Sequence, residues 1–352
     1  MSESSLRPLI GLTLDELKNV CASVGLKPFA AKQMAAWLYA RRATSTDAMT
    51  DLSKAARARL ADAGWCVGRE EPLAAALSAD GTAKYLFRGC QGRDVEAVAI
   101  PDHDRVTLCV SSQAGCKMRC AFCMTGRQGF HGNLSTAQII NQVLSVPESE
   151  ALTNVVFMGM GEPTDNLDAV LAAIEILTAP WGLAWSPRRI TVSTVGANLR
   201  AIQRLLDSTK VQIAVSVHSP FAGERASLMP AEKACAVADV MALMRRYDFA
   251  HQRRLSVEYI VWSGLNDSMR HARSLAGLLR GTDARVNLIP FHAIPGSELT
   301  PAPRHVMEAF RDELNRLGIT ATIRASRGQD IDAACGMLAG KQNQSEPSNT
   351  SI

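Results

Sequence analysis

From Val106 onward, short apolar runs rich in β-branched residues recur. They are separated by longer stretches whose apolar positions fall three or four apart. The short runs predict strands over Val106–Ser111, Asn154–Met158, Arg189–Thr194, Gln212–Val217, Arg254–Val261 and Arg285–Ile289. The longer stretches predict helices beginning near Thr136, Leu167, Asn198, Ala236, Asp267 and Arg304. Six βα units in series imply an α/β fold with a parallel sheet, open or curved toward a barrel. In such sheets functional groups gather at the C-terminal ends of the strands.

The pattern before Val106 differs. Thr13-Leu-Asp-Glu-Leu reads as a capped helix start with Leu17 and Val20 on its apolar face. A second helix is expected over Ala30–Arg42 and a third over Thr50–Ala63, punctuated by Pro28 and Gly64. Arg41, Arg42, Arg57 and Arg59 give this module a basic edge, either a solvated face or a nucleic-acid contact. Leu73–Leu77, a turn at Ala79-Asp80-Gly81 and Ala83–Phe87 then predict a hairpin, followed by a strand over Val95–Ile100. The expected division is a helical module over 1–68, a hairpin bridge over 69–103 and the βα array over 104–326. A loop carrying Cys335 follows over 327–340, and a polar tail, expected to be disordered, over 341–352.

Composition narrows the class. The 352 residues are 47% hydrophobic, enough for one barrel-sized core and a smaller module. No eighteen-residue apolar run and no secretory pattern occur, so a cytoplasmic protein without a membrane partner is expected. The nine cysteines are odd in number and three crowd into one loop, which speaks against a disulfide framework and for a reducing compartment. The net charge of +4 permits a nucleic-acid partner without arguing for one.

The crowded loop is Cys116-Lys-Met-Arg-Cys120-Ala-Phe-Cys123, directly after the first βα strand. Three thiolates are one short of the four that close a four-iron cluster, so one iron would keep an open position for a small molecule. A zinc knot is the alternative, but zinc sites pair C-x2-C with a second ligand pair, and none follows at a suitable distance. Phe122 beside the last cysteine completes a pattern that resembles the radical S-adenosylmethionine (SAM) enzymes. The next strand ends bear Gly159-Met-Gly161-Glu162-Pro163, Ser193-Thr-Val-Gly196 and Ser216-Val217-His218-Ser-Pro. Taken singly these read as a Gly-Pro turn, a loop and a packed histidine. At consecutive strand ends they form a polar rim suited to a ribose and an amino-acid head group. Cys109 lies in the first βα strand, and Cys335 lies between Gly328 and Gly336 in a loop expected to be exposed. Free cysteines are often small buried hydrophobes, and Cys21, Cys66, Cys90 and Cys235 are assigned that role.

Further strings carry a closer resemblance: Asp104-Arg-Val-Thr-Leu-Cys109, Gln128-Gly-Phe130, Asn287-Leu-Ile-Pro290, Asp330-Ile-Asp-Ala-Ala-Cys335-Gly, Lys27-Pro28-Phe29 and Met49-Thr-Asp-Leu52. Over nearly its whole length the chain resembles the RlmN/Cfr family of radical SAM RNA methyltransferases, and its RlmN branch most. The resemblance implies an incomplete (β/α)6 radical SAM barrel with an N-terminal helical accessory domain. It implies methylation of C2 of an adenine in 23S rRNA and of the adenosine 3′ to the anticodon in tRNA. Its cofactors would be one [4Fe-4S] cluster on Cys116, Cys120 and Cys123, and two SAM per turnover.

One SAM would methylate Cys335. A second, cleaved to a 5′-deoxyadenosyl radical, would activate that methyl group for addition to the electron-poor carbon. Glu96 would remove the proton, and Cys109 would attack the Cys335 sulfur, leaving a disulfide and freeing the product. The SAM contacts carried over are Gly161, Glu162, Ser193, Ser216, Val217 and His218. Where many members have asparagine after Pro-aromatic, this chain has His292, counted with the cofactor contacts as a hydrogen-bond donor to the adenosyl part. Strand alternation alone would place Glu96 toward solvent. A reducing partner such as flavodoxin and a monomeric state complete the expectation. C8 methylation of the same adenine, and a cluster-bearing electron-transfer or RNA-binding protein, are the alternatives.

Overall fold

The computed structural model describes residues 6–339, so the expected tail over 341–352 lies outside the described residues. Two short strands, β1 (Arg7–Pro8) and β2 (Trp65–Cys66), pair in parallel and close the N-terminal module. Its first helix, Leu14–Ser23, begins in a capping box: Thr13 Oγ1 accepts from Glu16 N, and the Glu16 carboxylate accepts from Thr13 N at 2.7 Å. The second starts at Ala30 as expected, but its last part, Ala36–Ala40, winds as a π-helix. The third spans Lys54–Asp62, shorter than the expected 50–63, because Ser53 supplies the cap to Ala56 N.

The module's arginines are occupied within the fold. Arg41 pairs with Asp51 at 3.0 Å, Arg57 donates to the Asp47 carbonyl and Arg59 to the Gly25 carbonyl. Arg42 reaches across to the barrel, donating to the hydroxyl and carbonyl of Ser149 at 2.8 Å each. The basic edge is thus largely an internal fastening.

Ten strands form the main sheet. The antiparallel β3 (Ala74–Leu77), β4 (Ala83–Cys90) and β5 (Arg93–Asp102) continue into β6 (Arg105–Cys109), so the hairpin region extends the barrel sheet directly. A separate ribbon, β7 (Gln113–Gly115) with β8 (Phe130–Asn133), brackets the cysteine loop. The parallel part then runs from β6 through β9 (Asn154–Phe157), β10 (Ile190–Thr194), β11 (Gln212–Ser216), β12 (Leu255–Val261), β13 (Arg285–Pro290) and β14 (Ala321–Ile323). The six expected strands are all present. The seventh, β14, is too short to show a period in the sequence. The two outermost strands, β14 and β3, are not paired with each other, so the barrel is incomplete.

Helices pack outside the sheet, including an unexpected short one over Ala222–Leu228. Their apolar faces bury Ile139, Val170, Ile202, Leu205, Val240 and Leu275 against strand residues such as Val155, Val192 and Val257. Burial on this outer face is what holds the strand ends in register at the mouth.

Candidate functional site

The cysteine loop is shaped by close backbone approach. A Cβ on Gly115 would lie 1.9 Å from the Gly129 carbonyl oxygen, and that carbonyl accepts from Cys116 N at 2.8 Å. Between the cysteines Arg119 takes a left-handed conformation with φ of 51°, and Ala121 N is anchored on the Leu228 carbonyl. Cys116, Cys120 and Cys123 line one cavity. Burial pushes the Cys116 thiol up to about 12, and Glu162 and Cys123 add to the rise. Cys120 is raised by burial and then by its two neighbouring cysteines. Two neighbouring thiols that resist ionising beside a third cysteine fit a shared polycation, whose charge removes that penalty. Among the described residues no three ligating side chains converge as a single metal ion requires.

The opposite wall of the cavity comes from the strand ends. After β9, Gly161 (φ of 100°) presses against Gln113, whose side-chain oxygen accepts from Glu162 N at 2.9 Å. The Glu162 carboxylate is buried and shared between strands: Oε1 accepts from Thr164 N and its hydroxyl, Oε2 from Val195 N at 2.9 Å. Burial raises its pKa against these bonds. Ser193 and Ser216 line the same cavity. His218, left-handed at φ of 57°, accepts from Ile260 N on Nδ1 at 3.0 Å, which leaves Nε2 as the ring's donor. Burial, helped by Arg225, holds its pKa down at about 3, so the ring is neutral at working pH. Phe122 meets it edge-on at 4.8 Å, joining the cysteine loop to the rim. The Val217 side chain is buried in the core, and only its backbone belongs to this region.

Arg225 escaped the sequence reading. Fully buried, it donates to the carbonyls of Val195, Ser216 and Val217 and pairs with Glu232. One guanidinium therefore ties the ends of β10 and β11 together beneath the serines and His218. Its helix is short and its partner is seven residues away, so no periodic signal marks it.

Cys335 enters the cavity from the other end of the chain. The segment leaves β14 and is clasped to the hairpin turn: Gly328 N donates to Asp80 at 2.9 Å, and Asp330 accepts from the Ser78 hydroxyl at 2.6 Å. Its far end is fastened to the cysteine loop, where Met124 N donates to the Gly336 carbonyl and the Thr125 hydroxyl to that of Leu338. Held between these tethers, Cys335 is exposed to the lumen and lines the same cavity as the three loop cysteines. It also lines a second cavity with Arg324, Ser326 and His292, whose Nε2 lies 2.7 Å from the Ser326 hydroxyl. His292 is thus on the far side of Cys335 from Glu162 and His218.

Register explains the remaining residues. Val98 pairs with Cys109, so Glu96 and Cys109 share one face of adjacent strands. That face is the concave interior, so Glu96 is buried rather than solvent-facing. Its carboxylate is 3.1 Å from Lys84 Nζ and accepts from Ala339 N at 2.9 Å, under the C-terminal segment and off the walls of both cavities. Burial, then Cys335, pushes the Cys109 thiol up to about 12, and Arg324 pulls against them.

Comparisons with known proteins agree with this geometry. Residues 110–275 match the model of the radical SAM superfamily, and residues 8–64 that of the ribosomal RNA large subunit methyltransferase N-terminal domain. A probable dual-specificity RNA methyltransferase RlmN of Parabacteroides distasonis is 55% identical over 337 residues, covering 96% of this chain and 98% of the relative. The dual-specificity RNA methyltransferase RlmN of Alkalilimnicola ehrlichii is 43% identical, covering 95% of this chain and 94% of the relative. The crystal structure of a radical SAM methyltransferase from Sphaerobacter thermophilus superposes with a TM-score of 0.87 at 39% identity, over 94% of this chain and 98% of that one. With relatives this similar along both its modules, the chain belongs to the RlmN family of radical SAM RNA methyltransferases.

Proposed function

We propose that the protein methylates C2 of an adenine in 23S rRNA and of the adenosine 3′ to the anticodon in tRNA, through a methylated Cys335. The observation that carries this reading is the shared cavity: Cys335 and the three loop cysteines line one space. Cys116, Cys120 and Cys123 would hold one [4Fe-4S] cluster. When bound, the cluster and two SAM per turnover supply the methyl group and the one-electron chemistry that an electron-poor aromatic carbon needs.

The chain's own residues do the rest. The Glu162 carboxylate, Ser193, Ser216 and the Nε2–H of neutral His218 offer acceptors and donors for an ammonium group, a ribose and a carboxylate. Gly161 keeps the backbone close enough for them to reach. Cys335, reachable from the lumen, accepts the methyl group. Glu96, on the interior face it shares with Cys109, takes the proton released at the adenine. Cys109, losing its proton, then attacks the Cys335 sulfur; the carbon–sulfur bond breaks, its electron pair stays with the product carbon, and that carbon takes up a proton to become the methyl group. His292 lines the second cavity and not the one that Glu162 and His218 line. No helix among the described residues is long and apolar enough to cross a membrane. A cytoplasmic monomer supplied with electrons by a protein such as flavodoxin belongs to the same proposal.

Incubating the reconstituted enzyme with SAM, a reductant and either an rRNA fragment or tRNA tests this reading. Nucleoside mass spectrometry should find 2-methyladenosine in both. Only 8-methyladenosine would assign the chain to C8 chemistry, and no 5′-deoxyadenosine above background would remove methylation altogether.

A further inference from the structure

We propose that the barrel holds a second RNA contact at the N-terminal ends of its strands, a cleft in which Arg105, Arg254 and Arg285 take phosphates of the chain beyond the target adenosine. The inference rests on RNA being the substrate, as proposed above, but its evidence lies outside the site already described. The cleft has a volume of about 520 Å³. Its walls carry five arginines, these three with Arg188 and Arg253, against a single carboxylate, Asp283.

Strand alternation makes this cleft the far end of the lumen. Met158, Ser216, Glu258 and Ile289 line the cavity at the mouth. Four residues before each of them on the same face stand Asn154, Gln212, Arg254 and Arg285, and all four line the basal cleft. Arg105, which opens β6, lines both this cleft and the second cavity, where Cys335 lies. From Arg254 to Glu258 the strand advances about 13 Å, and successive phosphates of a nucleic-acid strand lie closer together than that. The separation is therefore one that neighbouring nucleotides span.

These arginines differ from those of the N-terminal module, which are fastened to Asp51 and to backbone carbonyls. Arg105, Arg254 and Arg285 are exposed, and their side chains have no hydrogen bond or ion pair among the described residues. Arg188 gives one bond, to the His251 carbonyl at 3.2 Å. Arg253 is only 4% exposed. Its Nη2 donates to the Leu206 carbonyl at 2.8 Å, but Nε and Nη1 have no acceptor among the described residues. Like charges gathered without counter-charges repel one another, and an anion placed among them relieves that.

The arrangement suits a chain of phosphates better than one small anion. Arg254 and Arg285 come from the neighbouring strands β12 and β13, whereas β6 stands four strands away from β12 in the sheet, so Arg105 reaches the cleft from another wall. Each guanidinium can offer paired N–H groups to a separate phosphate. Contacts of this kind carry no base information. They fix the position of the RNA and make its affinity depend on salt.

The test measures binding of tRNA and of an rRNA fragment to the cluster-loaded enzyme over a range of salt concentrations. Arg254→Gln combined with Arg285→Gln should weaken both RNAs about tenfold and reduce the slope of log K against log salt by about 1 per arginine. The urea midpoint and RNA-free formation of 5′-deoxyadenosine should stay at wild type. Asp283→Asn, which removes the lone carboxylate, should instead tighten binding. Opposite signs separate charge from loosened packing. Unchanged affinity and slope in the double variant, or weaker binding in every variant alike, would overturn the inference. Loss of pyrophosphate binding with RNA binding intact would overturn it too, by making the cleft a site for free anions. All of these leave methylation by the wild-type enzyme standing. A wild-type enzyme that methylates neither RNA would remove the proposed function itself, and this inference with it.

Discussion

The loop from Cys116 to Cys123 and the segment from Arg327 to Ala339 bring cysteines to the same cavity by opposite means. The first is a local construction. Its cysteines are close in sequence, its turns are forced by Gly115 and left-handed Arg119, and its supporting wall is tied by buried Arg225. The second owes its place to distant partners, with Asp80 and Ser78 at one end and Met124, Thr125 and Glu96 at the other. A ligand set that must form before any cofactor arrives suits the rigid kind of loop. A cysteine that is methylated, attacked and reduced in turn suits a segment held at its ends and open in the middle.

The difference predicts a separable loss. Cys120→Ala should abolish both iron content and every product, whereas Cys335→Ala should keep the cluster's iron and visible absorbance and lose only methylated adenine. Parallel loss of iron in both variants would break the distinction. Next in size is Arg225→Met, which leaves Glu232 buried without its partner. It should cost about 3–5 kcal/mol in urea denaturation. Asp80→Asn acts on the exposed clasp instead. It should barely move the urea midpoint, yet amide exchange over residues 328–338 should quicken and product formation should slow.

Acid should separate the two regions as well. Burial works against the Asp80 charge, but bonds from Gly328, Thr82 and Ser78 outweigh it, and Asp330 is lowered by Ser78 and Ala79. A depressed folded pKa gives stability that is complete above the unfolded value of about 4 and is lost as pH falls through the folded one. The clasp should therefore be intact at neutral pH and open to pepsin as pH drops below about 4. On the other wall, burial holds His218 neutral down to about 3. An unfolded histidine takes up its proton near 6.5, so global stability should decline as pH falls from about 6.5 toward 3. His218→Gln should flatten that slope.

Legibility in the sequence followed the same division. The six longer parallel strands and the cysteine triplet were visible because each is set by neighbours within one element or one turn. Strand β14 was not, since three residues carry no period. For Glu96 alternation alone points to solvent, because it gives the face of a strand but not whether that face meets solvent or the barrel interior. Arg225 left no local mark at all: it holds carbonyls at the ends of two strands, which only the folded sheet brings together. The pairing of Cys109 with Cys335 was suggested by family resemblance and not by spacing, for they are separated by most of the barrel.

The central claim is that Cys335 carries the carbon to the adenine and Cys109 releases it. Cys109→Ala removes the release step alone. After turnover with SAM and RNA, mass spectrometry of the peptide containing Cys335 should then show adenosine bound to that cysteine through one carbon, with little free methylated RNA. If Cys109→Ala instead yields 2-methyladenosine at the wild-type rate and an unmodified Cys335 peptide, the account is wrong.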